Sequence, residues 1–154
     1  MLPATILLIS IILAACFYRL LPLEVAYHFE DGEPDGWMSR GAIIAWLIIP
    51  QFVLVFVGAA ISGGTTILSA RSQLDESTPI QKILPVMGNM VALPQIILTF
   101  AMLDIFLYNA YQIHLIPIWA FAVIVIVLGG MALGVFFIQV IRQTGKLPGK
   151  SPQE

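Results

Sequence analysis

Four long apolar segments, residues 2–20, 42–61, 84–107 and 115–141, set the limits on how this chain can fold. Each is close to or above the roughly 20 residues that a helix rising about 1.5 Å per residue needs to cross a hydrocarbon core of about 30 Å. Arg19 and Asp104 are the only charged residues inside them. A backbone in lipid must satisfy its own hydrogen bonds, so segments of this kind are expected as helices. The expectation is an all-α, polytopic integral membrane protein with four transmembrane helices in a single membrane domain over residues 1–141. Composition agrees: 59% of residues are hydrophobic and 10% charged, against about 25% charged in a typical soluble domain. With a net charge of -2 and seven scattered Lys and Arg, no basic surface is available for nucleic acid.

Turn and cap residues refine the boundaries. The second helix is expected to run past its apolar segment toward Ala70, because Gly63 and Gly64 weaken a helix without removing a backbone donor. Ser77 or Thr78 before Pro79 suits the start of the third helix, pairing a cap acceptor with a proline that needs no N–H there. Gly145, Pro148, Gly149 and Pro152 stop the fourth, leaving 142–154 as a basic, disordered tail.

Basic residues are enriched in cytoplasmic connections. Arg71 and Lys82 flank the second connection and Arg142, Lys146 and Lys150 follow the last helix, whereas Arg19 and Arg40 alone lie at the other end. Both termini are therefore expected in the cytoplasm, with residues 21–40 outside. The aromatic belt agrees, since Trp37, Trp46, Trp119, Tyr18, Tyr27, Tyr108 and Tyr111 all fall near that outer end.

Residues 21–40 hold five of the nine carboxylates (Glu24, Glu30, Asp31, Glu33, Asp35) and one of the two histidines. Pro22 opposes helix at Leu21, and Val25, Tyr27 and Phe29 alternate as a short extended run would. Asp31-Gly32 and Pro34-Asp35-Gly36 read as turns, and Ser39 as the cap of the second helix. Asp31, Glu33, Asp35 and Gly36 match the first half of a calcium loop, but the position for the bidentate Glu is Ala42, and no zinc set accompanies His28. No metal, no cofactor and no catalytic residues are expected.

Leu21-Pro22, Val25, His28-Phe29, Gly32, Pro34-Asp35-Gly36-Trp37 and Ser39-Arg40 closely resemble the signature of the domain of unknown function 1648 family. The family departs at Ala26, where it often carries a second proline, and has a longer spacer than Glu30-Asp31. The resemblance implies a bacterial protein of the inner (plasma) membrane. Because the family includes the opening module of a toxin-immunity protein, it also offers an immunity-like role as a lead. Pro22, His28, Phe29, Gly32, Pro34, Asp35, Gly36, Trp37, Ser39 and Arg40 are the candidate site on this reading.

Two functional classes follow. In the first, a non-enzymatic envelope sensor or immunity-like factor engages an extracellular peptide or envelope protein through the outer loop. In the second, a small transporter or transporter subunit uses the polar stripe of the third helix, Asn89, Gln95 and Thr99, beside a carbonyl freed by Pro94. Asp104 near the outer end is expected to pair with Arg19 or Arg40, and His114 to be a wetted interface residue. Leu13-Ala14-Ala15-Cys16 also offers a lipoprotein processing site before Cys16, although no Lys or Arg precedes the apolar run. Gly58 with Ser62, and Gly130 with Gly134, permit close helix contact, either within the bundle or in a homodimer.

Overall fold

The computed structural model describes residues 2–30, 33–72 and 88–144, with side chains at 65–72, 137 and 140–144 outside that description. Its elements in order are α1 (Leu2–Phe17), β1 (Glu24–Glu30), β2 (Glu33–Ser39), α2 (Arg40–Ser72), α3 (Ala92–Tyr111) and α4 (Ile118–Thr144). Three helices are long and apolar enough to cross a membrane, over Arg40–Gly64, Gly88–Tyr111 and Ile118–Phe136, and α1 is a shorter apolar helix. At 16 residues, α1 reaches about 24 Å. It stops three residues short of the expected boundary because Tyr18, Arg19 and Leu20 form a turn before Pro22. The expected start of the third helix at Ser77 or Thr78 and the Asp31-Gly32 turn lie outside the described residues; of the expected tail 142–154, residues 142–144 instead continue α4 to Thr144, and the rest lies outside the described residues.

The helices pack mainly around α3, which touches α1, α2 and α4. Where α2 meets the start of the third span, small residues set the spacing: a Cβ on Gly88 would lie 2.6 Å from Ser62 Oγ, and one on Gly58 would lie 3.3 Å from the Gly88 carbonyl. This seam is internal to the bundle, as close-approach motifs in membranes often are. Gly130 and Gly134 instead have nothing within 4 Å of where a Cβ would point. The span of α4 buries none of its residues. It is tied to α3 by Phe100 stacked on Phe121 at 3.8 Å and by Leu93 against Gly129.

Pro94 sits in the first turn of α3, where its missing N–H removes no helix bond. Gly88, Ala92 and Gln95 are buried on one face. Three helices meet there through polar side chains. Ser10 Oγ of α1 lies 2.8 Å from Gln51 Oε1 of α2 and 2.8 Å from Thr99 Oγ1 of α3, while Gln95 Nε2 donates to the Gln51 carbonyl at 3.2 Å. Each hydroxyl has one hydrogen, and the Ile6 and Gln95 carbonyls of their own helices, at 3.1 Å from Ser10 Oγ and 2.8 Å from Thr99 Oγ1, compete for it with these cross-helix acceptors. Burying apolar side chains against protein instead of lipid brings little hydrophobic gain, so such bonds and close packing fix which helices meet.

The departure from an all-α fold is the segment between α1 and α2. It forms a two-stranded antiparallel hairpin seated on the end of the bundle, in contact with α2 and α3. The expected extended run is β1, but Pro34-Asp35-Gly36, read as a turn, lies inside β2. Proline is tolerated on an edge strand. The register runs Ala26 to Trp37, His28 to Gly36 and Phe29 to Pro34, leaving Tyr27 and then Asp35 as extra residues on either side of the His28–Gly36 pair. Two compensating bulges thus absorb the turn-forming residues. A buried cluster beneath the hairpin joins Ala14, Leu21, Val25, Ile43, Leu47 and Phe106.

Candidate functional site: the hairpin end of the bundle

Two side chains fasten the hairpin and the chain leading into it to the helices, and a third, Asp104, fixes the facing connection between α3 and α4. Asn109, near the end of α3, exchanges a pair of hydrogen bonds with the main chain of Ala26: Ala26 N–H donates to Oδ1 at 2.9 Å, and Nδ2 donates to the Ala26 carbonyl at 2.8 Å. The second Nδ2 hydrogen reaches the Ile105 carbonyl at 2.8 Å. Asn109 therefore acts as a third strand one residue long, covering the free edge of β1 at the fully buried Ala26.

Arg40 holds the other side. Its Nη1 donates to the Tyr18 carbonyl at 2.9 Å and the Leu21 carbonyl at 3.2 Å, and its guanidinium lies 4.3 Å from the centre of the Tyr18 ring. A cation beyond the end of α1 also complements the helix dipole. Ser39 Oγ accepts from Ala42 N–H at 3.4 Å at the start of α2.

The third fastener is Asp104, and here the expected pairing is replaced. Its carboxylate meets neither Arg19 nor Arg40. Oδ1 accepts from the Leu115 N–H at 2.9 Å and Oδ2 lies 3.2 Å from His114 Nδ1. The chain makes this possible by turning immediately after α3: Gln112 adopts a left-handed conformation with φ 59, and its N–H closes onto the Tyr108 carbonyl. Residues 112–117 then fold back over the end of α3, bringing His114 within reach while Arg40 is committed to α1. His114 stacks on Tyr108 with ring centroids 4.5 Å apart and makes a T-shaped contact with Phe29 at 4.8 Å. It makes structural contacts while its side chain stays about half exposed.

These pieces enclose an open cavity of about 520 Å³ between the hairpin and the α3–α4 connection. Tyr27, His28, Phe29, Asp104, His114 and Trp119 line it together with residues 115–118. Both histidines of the chain face this one space, and each has Nδ1 held by a carboxylate, His28 by Asp35 Oδ1 at 2.5 Å and His114 by Asp104. The hydrogen bond and charge of Asp35, in that order, raise the His28 pKa above its usual value, opposed by slight desolvation and aided by Glu30. Among the described residues no group of three or more His, Cys, Asp or Glu is placed to hold a metal ion.

The expected site residues therefore divide. His28, Phe29, Asp35 and Gly36 gather at or beside the cavity, and Gly36 is needed there, since a Cβ would come within 2.9 Å of His28 Cβ. Pro34 pairs with Phe29 in the ladder, Ser39 and Arg40 act at the helix junction, and Pro22 precedes β1. Trp37 is 56% exposed and does not line the cavity. Gly32 is outside the described residues. Gln95 and Thr99 join the buried polar chain, with Gln95 Oε1 lacking a protein partner. Asn89 lies apart, lining a smaller cavity of about 240 Å³ at the far end with Pro3, Gly58 and Gly88. Cys16 is exposed on α1.

Asn109 and Gln51 were not singled out by sequence. The available signal was weak but real: Gln51 is the only amide within segment 42–61, and Asn109 ends a helix face otherwise filled by apolar and aromatic residues.

No curated protein and no solved structure matches the chain. The model of the family described as Domain of unknown function (DUF1648) matches residues 5–50, covering most of α1, the hairpin and the first turns of α2.

Proposed function

We propose that this chain is a non-enzymatic, multi-pass protein of a bacterial plasma membrane whose hairpin cleft faces outward and recognises a peptide or envelope protein, in a sensing or immunity-like role. The observation that carries the reading is the cavity of about 520 Å³ at the hairpin end, built from three separate parts of the chain. A loop with only a linking role has no need of an arginine clamp, an asparagine edge cover and a carboxylate that fixes the opposite wall. Preorganised concave surfaces with a few placed polar groups are where ligands bind. Basic residues at the far end favour the outward orientation. In this arrangement α1 completes a fourth crossing by tilting little and drawing the headgroup layer toward its ends.

The test replaces Tyr27 with a photoreactive amino acid in intact cells. Illumination should give an adduct with a secreted or envelope polypeptide that disappears on Trp119→Ala. Adducts with lipid alone would refute the reading. Transport through α3 is the second reading, and the buried Gln95 Oε1 without a partner is the observation in its favour. It requires a flux in proteoliposomes that Gln95→Leu abolishes.

A further inference from the structure

The chemistry of the cavity wall narrows what it can hold. Asp104 lines the cavity and Asp35 is bound to a residue that lines it, and among the described residues no lysine or arginine does so. Arg40, the nearest basic side chain in sequence, spends its guanidinium on the Tyr18 and Leu21 carbonyls. The hairpin around it adds exposed Glu24, Glu30 and Glu33. The formal charges at and around the cavity are therefore those of carboxylates, set among aromatic rings.

The histidines reinforce that bias through their tautomers. A carboxylate only accepts, so the Nδ1 of each imidazole carries the hydrogen that Asp35 or Asp104 receives. In the neutral ring this leaves Nε2 as a lone-pair acceptor. Two histidines of this tautomer in one lining, with Tyr27, Phe29 and Trp119, suit a group that is rich in donors, positively charged and able to sit against aromatic rings. Trp119, 72% exposed at the first turn of α4, presents a ring to this space.

Resting on the reading of this cleft as a recognition surface, we infer that it is a cation-binding site for a lysine or arginine side chain of a peptide that also carries apolar residues. The charge selects the ammonium or guanidinium group, and residues 115–118 supply an apolar shelf beside it. Lipid ethanolamine groups share the charge but cannot offer an alternating apolar and basic chain to both the shelf and the carboxylates.

Protonation competes with this ligand. A second proton on His28, which faces Asp35 and Glu30 of the hairpin, converts its Nε2 from acceptor to donor and adds like charge. Affinity should therefore fall as the pH is lowered.

The experiment uses the full chain in uncharged maltoside micelles at physiological salt, with calorimetric titration of an acetylated and amidated Leu/Lys alternating hexapeptide, its Leu/Gln counterpart, and phosphatidylethanolamine. The Leu/Lys peptide should bind at least about tenfold more tightly than Leu/Gln, and Asp35→Asn and Trp119→Ala should each weaken it about fivefold or more. Binding should weaken again between about pH 8 and about pH 5.5. Amide exchange of the hairpin in each variant must match the unmodified protein, so that a lost site is not a lost fold. Equal binding of both peptides, abolished by Trp119→Ala, would overturn the cation site while leaving the peptide cleft standing. A lysine preference indifferent to both substitutions would place the cation elsewhere and overturn the inference. Binding of phosphatidylethanolamine alone, or of no probe, would overturn both the inference and the peptide reading beneath it.

Discussion

Replacing Asn109 with alanine should release the hairpin from the bundle. Its side chain satisfies both main-chain groups of Ala26, and Ala26 has no exposed surface through which water could substitute. Each buried polar group left without a partner costs about 1–3 kcal/mol. Two such groups, with partial relaxation of the edge, give an expected loss of roughly 2–4 kcal/mol in the docking of β1. Because every 1.4 kcal/mol is tenfold, local opening should become roughly 30- to 700-fold more frequent. The assay is amide hydrogen exchange across β1 and β2 in micelles, with α3 as the internal reference. Asn109→Asp is the informative companion: it keeps an acceptor for the Ala26 N–H but sets a carboxylate against the Ala26 carbonyl, so it should not restore protection. Exchange in Asn109→Ala within about twofold of the unmodified protein would refute the claim that this side chain holds the strand.

Three further outcomes test other parts of the account. Gly36→Ala should lower the thermal stability of the hairpin by about 1–3 kcal/mol, read from exchange midpoints, since its Cβ would press on the main-chain end of His28 and not on a flexible tip. The Cε1 proton of His28 should titrate above its ordinary value, and Asp35→Asn should bring it back down; because the folded value is raised, the pair's stabilisation is complete below the ordinary histidine value and is lost as pH rises through the folded one. A double-mutant cycle of Ser10→Ala and Thr99→Val in lipid should return a coupling of about 0.5–1.5 kcal/mol, and additivity would show that their 2.8 Å contact fixes nothing.

The helical segments were legible because an apolar run of spanning length has few ways to satisfy its backbone in lipid. The first strand was legible from the alternation of Val25, Tyr27 and Phe29. The second was hidden, because Pro34, Asp35 and Gly36 are turn residues by local preference and only the facing His28 and paired bulges make them a strand. Asp104 misled for a similar reason. Its sequence position near the outer end suggested an arginine, but the left-handed Gln112 folds the connection back so that the partner comes from ten residues away. The Asn109 contact to Ala26 spans 83 residues, and no periodicity encodes a contact of that kind. The buried polar chain was half visible: Gln95 and Thr99 stood out as a stripe, whereas Ser10 looked like one more small residue and became its hub only once three helices met.

The central claim is that the hairpin end forms an outward-facing recognition cleft. The most direct measurement is labelling of whole cells with a membrane-impermeant thiol reagent at Glu33→Cys, in a Cys16→Ala background of confirmed full-length mass, against Lys146→Cys as the opposite end. The account predicts labelling at position 33 alone. Labelling at position 146 alone would place the cleft in the cytoplasm and contradict it.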